Sequence, residues 1–214
     1  MQNVLRTGQR RGIELILRLG ARLEMGLRVG LLSGLALAWL STASLAATAG
    51  KDFELTDQHG EPWSTRSARG QVVLLSFGYT FCPDICPTTL ATMTAALRQL
   101  GADATQVQPV FISLDPERDT PKRLSEYVTW FNPRLIGLTG DAETLRQIAD
   151  HYRVRYARVQ AADADYYTLD HSASLYLLDR QGQLARMLPH GLPTDALVSA
   201  IEDLLQEEST PPTQ

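Results

Sequence analysis

The chain has 214 residues with 24 acidic and 20 basic side chains, which gives a formal net charge of −4. The charge is unevenly divided, because residues 1–50 carry six arginines and two glutamates whereas residues 51–214 carry 14 basic and 22 acidic side chains. The acidic part is a poor match for nucleic acid, and a chain of this size with only two cysteines is not a disulfide-stapled scaffold.

The first 50 residues have the composition of a targeting segment. Six arginines occur among the first 28 residues, residues 29–50 contain no charged side chain, and the stretch ends in small residues that include Ala47 and Ala49. This order is typical of an export signal, and about 20 apolar residues also suffice to span a bilayer. Residues 1–50 are therefore predicted to be an export signal or an N-terminal membrane anchor. A translation start at Met25 would give a signal of more usual length.

Residues 51–206 are predicted to form a single domain on the periplasmic face of the cytoplasmic membrane, either anchored or released. Residues 207–214 are polar and rich in proline, which predicts a disordered tail. Export also means that the two cysteines occupy a compartment where disulfides can persist.

Strand-length and helix-length segments alternate along this domain. Residues 72–77 are continuously apolar, as expected for a strand that is covered on both faces. The alternation predicts an α/β sandwich with a mixed sheet flanked by helices, an order compatible with a thioredoxin-like core. Strands are predicted at residues 53–55, 72–77, 107–113, 136–138, 154–159, 174–179 and 183–188, and helices at residues 88–100, 121–130, 141–152 and from residue 194.

The two cysteines, Cys82 and Cys86, occur together in residues 77–87, FGYTFCPDICP. A strand is predicted before them and a helix after them, so both sulfurs are expected in the turn between the two elements. A helix N-terminus favours negative charge and makes thiols there easier to ionise. At the Cys-x3-Cys spacing, the pair can close a disulfide or hold a soft metal ion. A purely structural disulfide would add little stability, because its loop is so short.

Of the four histidines, His59, His151 and His190 are expected to have ordinary structural roles. His171 differs, because it lies immediately before the predicted strand at residues 174–179. In a thioredoxin-like fold, the loop that leads into this strand faces the cysteine turn. His171 is therefore a candidate third ligand.

A polar loop follows the predicted strand at residues 107–113. It contains Asp115, Glu117 and Asp119, and Asp119 or Thr120 is expected to cap the helix that begins at Pro121. The loop is also expected near the cysteines, where it would contact a partner or tune the site. Next to the cysteines, Tyr79 and Phe81 are predicted to pack in the core, and Asp84 is predicted to be exposed.

Several segments together resemble the Sco/SenC family of copper proteins, and the resemblance runs from about residue 53 to residue 205. The first three segments carry most of it, since a Cys-x3-Cys pair alone would be weak support. The segments are residues 77–87 (FGYTFCPDICP), 112–121 (ISLDPERDTP), 165–172 (DYYTLDHS), 53–60 (FELTDQHG) and 137–141 (GLTGD).

The resemblance implies a membrane-tethered thioredoxin-like protein that binds copper through two cysteines and one histidine, here Cys82, Cys86 and His171. Family members assist assembly of the dinuclear copper centre of cytochrome c oxidase, by delivering copper, by reducing the target cysteines, or by both. The implied partners are the copper-accepting subunit of the oxidase and, beyond it, another copper chaperone or a thioredoxin-like reductase.

The residue chemistry agrees with this implication. Thiolates favour Cu(I) and imidazole suits both Cu(I) and Cu(II), whereas structural zinc sites usually have four protein ligands.

The alternative function is that of a thiol–disulfide oxidoreductase with Cys82 and Cys86 as its redox-active pair. Thioredoxin-like reductases resemble one another in having a cis-proline at the position that Ala173 occupies here. Its absence favours a third ligand without excluding thiol exchange, and a peroxidase function ranks last.

Overall fold

The computed structural model of the protein describes residues 52–160 and 166–207. The predicted targeting segment, the alternative start at Met25 and residues 208–214 of the predicted tail lie outside the described residues. Across the part of the chain that the structure describes, no helix combines the length and the apolar character needed to cross a membrane.

The described chain alternates strands and helices, as predicted. The strands are β1 (Glu54–Asp57), β2 (Pro62–Ser64), β3 (Val72–Gly78), β4 (Val107–Ser113), β5 (Ile136–Thr139), β6 (Tyr156–Val159), β7 (Thr168–His171), β8 (Leu175–Leu178) and β9 (Leu184–Leu188). The α-helices are α1 (Ile85–Gln99), α2 (Pro121–Phe131), α3 (Ala142–His151) and α4 (Thr194–Glu207). Short 3₁₀ helices cover Thr65–Ala68 and Gly101–Gln106.

Seven strands form one mixed sheet in the order β2-β1-β5-β4-β3-β8-β9. The three central strands β5, β4 and β3 are parallel, and the strands on both sides of them are antiparallel. β6 and β7 pair with each other in a separate two-stranded ribbon, in which Tyr156 lies opposite His171. The predicted thioredoxin-like architecture, a mixed sheet flanked by helices, is thus confirmed.

The core lies on both faces of the sheet, and every residue of the central strand β3 is therefore buried. Leu74 belongs to an apolar cluster on one face that includes Leu90 of α1 and Ile201 of α4. Leu75, the next residue, belongs to a second cluster on the other face that includes Leu145 of α3. Since successive side chains of a strand point to opposite faces, the apolar run supplies both clusters at once.

Some boundaries differ from the sequence prediction. α1 begins at Ile85 and not at residue 88, so that Pro87 lies in its first turn, where the missing N–H costs nothing. β2 and β7 were not predicted, because both are short and β7 contains polar residues. β6 begins at Tyr156 and not at residue 154, and three of its four residues are exposed.

The topology brings three loops to one edge of the sheet. β3 and β4 are parallel, so the turn after Gly78 and the loop after Ser113 leave the sheet at the same edge. β8 is antiparallel to β3 with Leu175 opposite Ser76, so the segment before β8, which contains His171, reaches that edge too. Segments that are far apart in sequence therefore meet beside the cysteines.

Candidate metal centre

The two cysteines occupy different surroundings at the junction between β3 and α1. Cys82 lies in the turn before the helix and is partly exposed, whereas Cys86 lies in the first turn of α1 and is buried. The backbone N–H of Cys82 donates to the carbonyl of Tyr79 at 3.2 Å, and the backbone N–H of Cys86 donates to Sγ of Cys82 at 3.4 Å. No disulfide joins the two sulfurs in this structure. The helix N-terminus thus points a donor at the more exposed sulfur.

Cys86 can occupy its position only because residue 78 is a glycine. A Cβ atom placed on Gly78 would lie 2.5 Å from Sγ of Cys86 and 2.9 Å from Cε2 of Phe111, well inside van der Waals contact. Close approach of a side chain to the backbone is a common reason for glycine at the end of a strand. Gly78 is thus a site residue that sequence reasoning missed, since only the tertiary contact identifies it.

The two thiols share one proton unequally. A hydrogen bond from the Cys86 side chain, assisted by backbone N–H groups, lowers the pKa of Cys82 to about 4. The same hydrogen bond, together with burial, raises the pKa of Cys86. Cys82 is therefore the sulfur of the pair that ionises first, and Cys86 is the one that keeps its proton to higher pH.

The sequence predicts that His171 lies in a loop, but it is the last residue of β7. Its Nε2 lies 3.4 Å from Sγ of Cys86, and its ring packs edge-on against Tyr79 with the ring centroids 5.8 Å apart. Nδ1 lies 2.9 Å from the carbonyl oxygen of Ser172. A carbonyl can only accept, so Nδ1 carries a proton and Nε2 is the ring nitrogen that faces the cysteines.

One ligand atom from each of Cys82, Cys86 and His171 lies within 4.8 Å of the other two. Among the described residues, this is the one group of three metal-ligating side chains that are so close. Two soft sulfur donors and one imidazole nitrogen fit copper by donor type. The other histidines lie outside the group; Nδ1 of His190, for example, lies 3.1 Å from Oγ1 of Thr89.

Of the two residues in the polar loop after β4 that were predicted to cap the next helix, Thr120 has this role. Thr120 caps α2 by accepting from the backbone N–H of Arg123. Asp119 does not cap the helix; it is fully buried and bonds to Thr80 and Ser113. Burial raises the pKa of Asp119, against the opposing effect of these hydrogen bonds.

Two expectations for the residues near the cysteines are confirmed and one is wrong. Tyr79 is buried and Asp84 is exposed, as expected. Phe81 is 49% exposed and does not pack in the core. Its ring lies instead against two guanidinium groups, with Cζ of Arg118 at 4.7 Å and Cζ of Arg123 at 4.9 Å from the ring centroid. These arginines can shield the exposed ring through cation–π contacts. The apolar character of Phe81 in the sequence does not reveal such contacts.

Comparison with known proteins gives a consistent result. The sequence model of the SCO1/SenC family matches residues 41–206 of this chain. An SCO2-like protein of Rickettsia conorii is 46% identical over 135 residues, which cover 63% of this chain and 66% of that relative. The aligned segment therefore spans just under two thirds of the relative's length.

The fold is similar to that of solved structures. The crystal structure of Arabidopsis thaliana ScoI with copper bound aligns with a TM-score of 0.69 and 36% identity, covering 74% of this chain and 99% of that chain. The structure of BsSco aligns with a TM-score of 0.59 and 26% identity, covering 74% and 94% of the two chains. BsSco is a member of the Sco family of cytochrome c oxidase assembly proteins in which a disulfide switch was identified.

Substitution Gly78→Ala should displace the Cys86 sulfur, because the new methyl group would overlap it. We expect Cu(I) affinity, measured by competition with a chelator, to fall by about 10- to 100-fold, the usual effect of disturbing a residue that orients a metal ligand. Gly140→Ala is the matched control, since its Cβ would crowd Leu55 at 2.7 Å, away from the cysteines. An equal loss of affinity in both variants would show that general destabilisation is responsible.

The low pKa of Cys82 predicts how alkylation of the reduced, metal-free protein depends on pH. The group is ionised above a pKa of about 4, so the rate of its reaction with iodoacetamide should stay nearly constant from pH 8 to pH 6. An ordinary thiol would slow by about tenfold per pH unit over this range. Mass spectrometry should locate the modification on Cys82.

The Cys86→Ala variant tests the cause of this behaviour. It removes the S–H donor that contributes most to the low pKa of Cys82, so its alkylation rate should begin to fall at a higher pH than that of the wild-type protein. A wild-type rate that falls tenfold per pH unit would contradict the assigned proton distribution.

Proposed function

Because the chain belongs to the SCO1/SenC family, we propose that it is a copper chaperone that holds one copper ion through Cys82, Cys86 and His171. The observation that carries the proposal is the cluster of two sulfurs and one imidazole nitrogen within 4.8 Å. The copper-bound state of the related Arabidopsis protein supports the choice of metal.

The donor set suits an ion that changes oxidation state and is passed on. Two thiolates favour Cu(I), and the imidazole is a good ligand for both Cu(I) and Cu(II). Three protein ligands leave room for a ligand from a partner, whereas a structural zinc site would usually be closed by a fourth protein residue. Cys82 is the more exposed of the two sulfurs, so a partner would approach copper from the Cys82 side.

The proposed receiver of the copper is the copper-accepting subunit of cytochrome c oxidase. Support comes from the family resemblance and from BsSco, a member of a family of cytochrome c oxidase assembly proteins. The proposed location is the periplasmic face of the cytoplasmic membrane, with residues 1–50 as export signal or anchor. The basic and then uncharged composition of that segment supports this location.

The second candidate function is thiol–disulfide exchange, and the unequal proton distribution between the cysteines favours it. The Cys82 thiolate would attack a disulfide of the partner and release one partner thiolate. In the resulting mixed disulfide, the Cys86 thiol would give its proton to the released partner thiolate and attack the Cys82 sulfur. This breaks the Cys82–partner bond, releases the second partner thiolate, completes a Cys82–Cys86 disulfide and leaves the partner reduced by two electrons. The two functions use the same sulfurs and are compatible.

Substitution His171→Ala separates the two functions. It should weaken Cu(I) and Cu(II) binding by more than about 100-fold, because removing a ligand costs at least as much as disturbing a residue that orients one. Competition with a chelator of known affinity would measure the loss, together with the sulfur-to-copper charge-transfer band of the Cu(II) form. His190→Ala is the matched control and should retain the wild-type affinity.

Thiol–disulfide exchange should survive His171→Ala but not Cys82→Ser or Cys86→Ser, because the histidine takes no part in the exchange. Failure of the wild-type protein to retain copper against a moderate chelator, with both thiols intact, would reject the chaperone and leave the reductase. Unchanged copper affinity in His171→Ala would reject the three-ligand centre.

A further inference from the structure

The loop between β4 and α2, residues 114–120, contacts both parts of the candidate metal centre. We propose that this β4–α2 loop sets the position of the cysteine turn relative to His171, with Asp119 acting on the cysteine side and Arg118 and Asp115 on the histidine side. These residues would not touch copper; they are positioning residues. The copper measurements below rest on the proposed function, whereas the metal-free measurements do not.

On the cysteine side, Asp119 anchors the turn through Thr80, which lies two residues before Cys82. The carboxylate accepts from the backbone N–H of Thr80 at 2.9 Å and from its hydroxyl at 2.6 Å. It also accepts from the hydroxyl of Ser113 at the end of β4, at 2.6 Å. Asp119 is fully buried and Thr80 is 7% exposed, so water cannot easily replace these bonds. The start of the cysteine turn is thereby fixed to β4.

On the histidine side, the loop holds Tyr167, four residues before His171. The Tyr167 hydroxyl donates to Oδ1 of Asp115 at 2.6 Å, and Arg118 donates to the Tyr167 carbonyl oxygen at 2.8 Å. The Arg118 guanidinium also lies 3.6 Å from the centroid of the Tyr167 ring. Arg118 is itself held by an ion pair with Asp115 at 2.5 Å.

This anchoring matters because β7 has no strand pairing to the main sheet. β6 and β7 pair with each other, and the seven-stranded sheet contains neither of them. Apart from the short link to β8, the position of His171 at the end of β7 depends on contacts with the rest of the domain, and those of Tyr167 with the loop are short, at 2.6 and 2.8 Å.

Arg118 joins the two sides. Its Cζ lies 3.6 Å from the ring centroid of Tyr167, which directly precedes β7. It also lies near two rings of the cysteine turn, 4.7 Å from the centroid of Phe81 and 5.7 Å from that of Tyr79. Tyr79 in turn packs against the ring of His171. Within the loop, the backbone N–H groups of Arg118 and Asp119 both donate to the carbonyl of Asp115, so the two anchors belong to one compact turn.

The experiment uses a pair of variants for each side. Tyr167→Phe removes the bond to Asp115 and keeps the ring, and its control is Tyr166→Phe, at an exposed neighbour. Thr80→Val removes the hydroxyl that bonds to Asp119, and Thr80→Ser is the conservative variant that restores it. Asp141→Ala, which removes the cap of α3, reports what simple destabilisation does.

In the copper-loaded protein, Tyr167→Phe and Thr80→Val should each increase the rate of copper loss to a chelator by about tenfold. Each should also shift the energy of the sulfur-to-copper charge-transfer band of the Cu(II) form. Thr80→Ser, Tyr166→Phe and Asp141→Ala should keep the wild-type rate and band.

In the metal-free reduced protein, the two sides should respond separately. Tyr167→Phe should shift the imidazole NMR signals of His171 and leave the rate of Cys82–Cys86 disulfide formation by oxidised glutathione unchanged. Thr80→Val should slow disulfide formation, because the sulfurs would no longer be held close together. Each disulfide formed transfers two electrons to oxidised glutathione and yields two reduced glutathione molecules.

Wild-type NMR signals in Tyr167→Phe together with a wild-type disulfide rate in Thr80→Val would overturn the positioning role. Equal changes in Asp141→Ala would overturn it as well, since they would trace the effects to lost stability. If the wild-type protein fails to retain copper, the proposed function fails, and the metal-free measurements still decide whether the loop positions the two sides.

Discussion

Three segments of the chain meet at the sulfur of Cys86, and the rest of the centre depends on their contacts with this atom. The end of β3 approaches it through Gly78, whose missing side chain leaves the space. The first turn of α1 carries the sulfur, and His171 at the end of β7 places Nε2 at 3.4 Å from it. A strand, a helix and a ribbon are therefore packed around one atom, and none can shift without changing the distances between the two sulfurs and Nε2.

Buried carboxylates hold the loops around this contact. Burial of an unpaired charge costs on the order of several kcal/mol, and this cost is offset differently for the buried Asp115 and Asp119. Asp115 has an ion pair with Arg118 and a hydrogen bond from Tyr167. Asp119 has no such ion pair among the described residues and is satisfied by the hydroxyls of Thr80 and Ser113 and by a backbone N–H. Such bonds are directional, so they fix loop geometry in a way that apolar packing would not.

The asymmetry of the two cysteines connects the two functions discussed above. Cys82 is partly exposed and has the lowered pKa, whereas Cys86 is buried and has the raised pKa. In the proposed copper chaperone, one sulfur would face a partner while the other stays with the fold. For thiol exchange, the same arrangement supplies an attacking thiolate and a second sulfur that completes the disulfide. The carbonyl of Ser172 accepts from Nδ1 of His171, so the other ring nitrogen, Nε2, faces the cysteines.

The sequence by itself determined the features that depend on neighbouring residues. The apolar run of β3 predicts a strand buried on both faces, Asp141 caps α3 through a bond three residues away, and Cys82 and Cys86 follow β3 at a spacing that keeps their sulfurs together. The recognisable segments also indicated His171, although 85 residues separate it from Cys86.

Only the tertiary structure decided the features that arise from contacts between distant segments. The need for glycine at position 78, the inward position of Asp119 and the exposed ring of Phe81 depend on what the fold places beside them. The ribbon of β6 and β7 escaped prediction because its short strands are largely polar or exposed, and side-chain contacts with the loop after β4 hold it. Local propensity and periodicity carry no information about such contacts.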